Sequence, residues 1–209
     1  MALTVRQPTN RETPDSGQGG QAVTGVSNTG HSSTVTASAA VDSPPPGTPV
    51  SDSDSKSARW FGLQEVSGQK ILVKLKFTWS ASGAVDATGG LGQGPPQIDG
   101  SASSTCSFQI QYSLNGGSNW TTHVSDSASA SSIGPPDSDS FTNNGSADIT
   151  LGNGQDVSQI QVRCLYQTGA NAEAGNGFDN ATANASVTAT ISGIQVEVTT
   201  ADPEPIILW

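Results

Sequence analysis

Ile71-Leu72-Val73-Lys74-Leu75-Lys76-Phe77-Thr78-Trp79 alternates apolar with polar side chains. Ile71, Val73, Leu75, Phe77 and Trp79 fall on one face of an extended chain, and Lys74, Lys76 and Thr78 fall on the other. The same period of two runs through Cys106-Ser107-Phe108-Gln109-Ile110-Gln111-Tyr112 and through Ile160-Gln161-Val162-Arg163-Cys164-Leu165-Tyr166. From Val187 to Val198 the alternation of Val187, Ala189 and Ile191 shifts phase at Ser192-Gly193, then resumes as Ile194, Val196 and Val198. A glycine at a phase change predicts a bulge or a sheet-switching bend. Shorter strands are expected over 60–63, 119–124 and 147–151, and no segment offers a helical stripe of useful length. One buried and one wet face per strand is the pattern of antiparallel sheets. Asn115-Gly116, Asn144-Gly145 and Asn153-Gly154 read as turns. The expected fold is therefore all-β: an antiparallel two-sheet sandwich, jelly-roll-like in arrangement. Residues 81–104 and 125–140, which contain Gly89-Gly90, Pro95-Pro96 and Pro135-Pro136, read as long loops.

Outward from these strands the chain thins in apolar content. Of 209 residues, 75 are Gly, Ser or Thr and only 39 are Leu, Ile, Val or Phe. Residues 1–58 hold seven of those 39: Leu3, Val5, Val23, Val26, Val35, Val41 and Val50. This stretch also carries Pro44-Pro45-Pro46 and Ser51-Asp52-Ser53-Asp54-Ser55. A segment so poor in apolar area cannot offset its own ordering entropy. Residues 1–58 are expected to form an extended N-terminal arm, with Val23, Val26 and Val35 as its contacts to a partner. Residues 33–37 are the one edge-strand candidate in it. Residues 59–200 are expected to form the sandwich and 201–209 an apolar C-terminal tail. In that tail Pro203 and Pro205 interrupt regular structure, so Ile206, Ile207, Leu208 and Trp209 are expected to cover the core or enter a groove on a neighbour.

Charge and composition narrow the function. No run approaches 18 apolar residues, so no membrane-spanning helix is expected. Eight Lys and Arg against 18 acidic residues, a net charge of −10, argue against nucleic acid as a partner. Met1-Ala2-Leu3-Thr4-Val5-Arg6 lacks the basic start and apolar core of a secretory signal. A Ser/Thr-rich, Lys-poor chain without an export signal is expected to reach the outside by lysis, within a virus particle assembled in the host cytoplasm.

No catalytic set stands out. Nucleophile triads need a histidine, and His31 lies in the arm while His123 follows the Trp120 strand. There is no G-x-S-x-G elbow, and Glu65, Glu173 and Glu197 show no glycosidase context. No enzyme activity and no cofactor are expected. The carboxylate pairs Asp52/Asp54 and Asp137/Asp139, with Asp179 beside Asn180, could hold calcium or simply be solvated. Cys106 and Cys164 both fall on inward faces, where they either bridge two strands or pack as small apolar groups. Trp60 and Trp120 either stack on sugar or pack in the core.

Ser113-x-Asn115-x-Gly117-x-x-Trp120 resembles the Asp-box, S-x-D-x-G-x-x-W, of sialidases and other secreted β-proteins, with Asn115 in place of the aspartate. The resemblance implies a structural hairpin away from any catalytic site. The wider combination of a Ser/Thr/Gly/Ala-rich sandwich, an arm and no leader resembles virion structural proteins of tailed phages, in particular capsid decoration or cement proteins. That likeness implies a homo-oligomer, a trimer, bound to the major capsid protein or other virion proteins. The alternative is a tail-fibre or baseplate adhesin that binds a host-surface glycan.

Overall fold

The structure, a computed structural model, describes residues 1–12, 29–42, 49–90, 100–173 and 180–201. Among these residues ten strands follow one another: β1 (Ala2–Arg6), β2 (Asn10–Glu12), β3 (His31–Asp42), β4 (Pro49–Phe61), β5 (Lys70–Thr88), β6 (Ser101–Ser113), β7 (Thr121–Ile133), β8 (Asp137–Thr150), β9 (Gln161–Glu173) and β10 (Asn180–Thr200). One sheet runs β3-β10-β5-β8 and the other β4-β9-β6-β7. All of these pairings are antiparallel. Two interlocked Greek keys in this order make a jelly roll. The two N-terminal strands lengthen its edges: β1 continues the β3 edge beside the end of β10, and β2 lies along β4.

The quoted stretch sits in β5 as expected, with Val73, Leu75 and Phe77 buried. The phase change in β10 is a bulge: its register against β5 shifts between Ser192 and Gln195, and Gly193 sits at φ 66°. The core is graded along the strands. At one end it holds Trp60, Phe77, Phe108, Ile110, Tyr166 and Ile194. At the other it is almost all alanine, with Ala39, Ala87, Ala102, Ala130, Ala172 and Ala183 each no more than 4% exposed.

The alanine end corrects several expectations. Residues 31–42 and 49–58 are not an arm but two strands of the sandwich, so no boundary falls at residue 59. Val35 is 1% exposed and belongs to the core, not to a partner contact. It pairs with Val187 within a ladder that carries β3 along β10 from His31 to Asp42. Backbone pairing and the burial of Ala37, Ala39 and Val41 supply what the scarcity of large apolar residues seemed to deny. The predicted loops 81–104 and 125–140 are largely the ends of β5, β6, β7 and β8. Asn144-Gly145 is no turn either, but lies mid-strand where Gly145 pairs with Trp79. A Cβ on Gly145 would approach the Trp79 ring to 2.5 Å, so the glycine is needed for the indole to lie across β8. Val23, Val26 and the tail residues Ile206, Ile207, Leu208 and Trp209 lie outside the described residues.

Candidate interaction surfaces

The Ser113–Trp120 connection joins β6 to β7. The Ser113 hydroxyl donates to Asn115 Oδ1 at 2.9 Å and accepts from the Asn115 and Gly117 amides at 3.3 and 3.0 Å. Asn115 Oδ1 also accepts from the Asn119 amide at 2.9 Å, the task the aspartate has in the box. Gly116 and Gly117 turn the chain at φ 69° and 90°. The Trp120 ring lies against the turn, where a Cβ on Gly117 would come to 3.5 Å from it. It lies half-buried on the outer face, with the Arg163 guanidinium 4.1 Å from its ring centroid.

From that indole a row of polar side chains crosses all five strands of the second sheet. Glu12, Arg59, Arg163, Gln111 and Thr122 occupy successive register positions on β2, β4, β9, β6 and β7. Arg59 Nη2 donates to Glu12 Oε2 at 2.6 Å, Arg163 Nε to Gln111 Oε1 at 2.7 Å, and Gln111 Nε2 to Thr122 Oγ1 at 3.0 Å. Arg59 lies 5.1 Å from the Phe61 centroid. Partial burial and the neighbouring Arg59 charge both lower the pKa of Arg163. Sequence reading missed this row because its members are far apart in the chain and only the ladder registers align them.

Carboxylates close the rims. Asp137 and Asp139 of β8 accept from the Ser131 and Ser129 amides of β7 at 2.9 and 3.2 Å. On the opposite rim, Asp52 of β4 accepts from the Ser38 amide of β3 at 3.0 Å. Three of the acids considered for calcium, Asp52, Asp137 and Asp139, are thus spent on backbone amides, and Asp54 is buried on β4. Among the described residues no three His, Cys, Asp or Glu side chains converge as metal ligands. Asp179 lies outside the described residues. Farther along the β7/β8 rim, Trp79 Nε1 donates to Asn143 Oδ1 at 2.8 Å and Asn143 Nδ2 to Asp126 Oδ2 at 3.2 Å. The His123 ring stands edge-on to Phe77 and Trp79, and burial lowers its pKa.

The remaining candidates are internal. Trp60 is fully buried beside His31, whose ring also meets Tyr166, so it presents no platform to a sugar. Cys106 and Cys164 are free thiols, opposite Thr168 and Ile110 respectively. That places them four residues, roughly 13 Å, apart along the strands, beyond the reach of a disulfide. Burial pushes the Cys164 thiol up to about 12 and raises Cys106 as well. Glu65, which had no evident context, is a staple. Burial opposes its ionisation, but bonds donated by the Lys70 ammonium and the Val66 and Val157 amides hold its pKa at about 2.

The fold and surfaces define a jelly-roll β-sandwich. No protein-family model and no curated protein matches the chain. Among solved structures, TmCBM61 in complex with β-1,4-galactotriose is 9% identical, over 91% of this chain and 89% of that one, with a TM-score of 0.22. The VP2 subviral particle of infectious bursal disease virus is 10% identical, over 81% of this chain and 40% of that one, with a TM-score of 0.20. The cowpea mosaic virus top component is 9% identical, over 83% and 90%, with a TM-score of 0.17. At these values the likenesses carry no functional inference.

Proposed function

We propose that this chain is a non-enzymatic virion structural protein, of the capsid decoration or cement type seen in tailed phages, which bridges neighbouring subunits of a shell. The observation that supports this reading is where exposed apolar surface lies. Among the described residues, the exposed large apolar side chains are Met1, Leu3 and Val5 at the aromatic end and Val50 and Ile133 at the alanine end. The face between them is paved with hydroxyls that bond one another across strands, as Ser32 does with Thr190 at 2.9 Å and Thr34 with Thr188 at 2.8 Å. A body with adhesive tips and hydrated flanks suits a clamp that touches one neighbour at each end. Its partners are the major capsid protein or other virion proteins, and further copies of itself. Many weak clamps then hold by avidity.

The test is removal and return. Particles made without this chain are expected to rupture at lower temperature, and purified protein added back should restore the wild-type value. The double substitution Leu3→Asp with Val5→Asp should fold but fail to restore it. Absence of the chain from purified particles, or an unchanged rupture temperature, overturns the proposal.

A further inference from the structure

We infer that the row across the second sheet is a binding site for a carboxylated sugar, held between Arg59 and Arg163 beside Trp120. The inference stands apart from the clamp reading, because it concerns a broad face and not the tips.

Arg59 and Arg163 face each other directly in register on β4 and β9. Like charges at directly opposed positions repel and destabilise a sheet pair. This chain has only eight Lys and Arg side chains, yet two of them meet here. Each guanidinium lies over an aromatic ring, Phe61 or Trp120, which fixes its plane. Arg163 is tied further by its Nε bond to Gln111. Glu12 answers only Arg59, at 2.6 Å. Along the row the side chains therefore run negative, positive, positive, neutral, neutral, and among the described residues the Arg163 charge at the centre has no carboxylate paired with it.

A carboxylate is the natural complement, because the planar guanidinium fork matches it bidentately. What surrounds the fork selects the rest of the ligand. Gln109, Gln111 and Thr122 form a chain of amide and hydroxyl groups on the neutral side, with Gln111 Nε2 bonded to both Gln109 Oε1 at 3.1 Å and Thr122 Oγ1 at 3.0 Å. Such groups exchange hydrogen bonds with sugar hydroxyls, and the indole edge of Trp120 offers an apolar wall for ring carbons. A bare acetate would use the fork and nothing else. A neutral hexose would use the amides and leave the charge unanswered.

The experiment is calorimetric titration of the whole protein at low salt with sodium glucuronate and N-acetylneuraminate, against acetate, sulfate and glucose. The two acidic sugars are expected to bind saturably and at least tenfold tighter than acetate, sulfate or glucose. Arg163→Ala should weaken them at least tenfold while the circular dichroism spectrum stays that of the wild type. Arg163→Lys keeps the charge but loses the fork, and should also lose most of the affinity; it serves if the alanine variant does not fold. Equal binding of acetate or sulfate, no saturable binding of either acidic sugar, or full affinity in folded Arg163 variants overturns the inference. Loss of sugar binding leaves the rupture temperature of particles untouched, so the two proposals fail separately.

Discussion

At the scale of single residues, the alanine end depends on side chains that are absent. Gly83 pairs with Phe141, and a Cβ there would overlap the Phe141 ring and the Cys106 sulfur. Gly145 stands in the same relation to Trp79. Gly83→Ala and Gly145→Ala are each expected to cost about 1–3 kcal/mol in urea unfolding, since overpacked cores respond by that much. The thiols make a sharper test. With Cys164 held protonated up to about 12 and both sulfurs buried, a thiol reagent at pH 8 should label neither until denaturant is added. Glu65 gives a pH dependence of definite sign. Its carboxylate titrates at about 2 in the fold against 4.5 unperturbed, so its stabilisation is complete above pH 4.5 and is lost as pH falls toward 2. Glu65→Gln should lower the melting temperature at pH 7 and flatten the acid limb of its pH profile between those values.

At the scale of elements, the question is how a sheet of small side chains avoids adding strands from other molecules. Free edges invite pairing, and here the Ser129 and Ser131 amides of β7 and the Ser38 amide of β3 are occupied by carboxylates reaching from the opposite sheet. Replacing Asp137 and Asp139 together by alanine is expected to leave the jelly roll folded but to raise self-association, visible as concentration-dependent light scattering. The strands rich in Val, Ile and Phe were legible in the sequence, as was the bulge at Gly193. The alanine strands were not, although their alternation is as regular. In Ala181-Thr182-Ala183-Asn184-Ala185-Ser186 every second residue is buried, yet alanine contributes so little transfer energy that apolar counting passes over it. The Asp-box hairpin was legible because its residues are contiguous. The arginine row was not, because its order exists only once β2, β4, β9, β6 and β7 are side by side.

At the scale of the whole molecule, charge is unevenly spread. Arg6, Arg11, Arg59, Lys70, Lys74, Lys76 and Arg163 lie in the aromatic half, where Glu12, Glu65, Asp148 and Glu197 offset part of their charge, whereas Asp52, Asp86, Asp137, Asp139 and Glu173 lie in the alanine half and leave it net acidic. Such a body orients in an external field, so its association with a charged surface should slow as ionic strength rises. The first 58 residues also test the fold as a unit. Deleting residues 1–42 removes β3 from the side of β10, and the remainder is expected to lose cooperative unfolding, where a dispensable arm would leave it intact. The graded core has a calorimetric consequence too. Alanine exposes little hydrocarbon to water when it unfolds, so the heat capacity increment per residue should fall below the ordinary range of about 12–15 cal/mol/K. A small increment flattens the dependence of stability on temperature, and a protein built this way resists chilling nearly as well as warming.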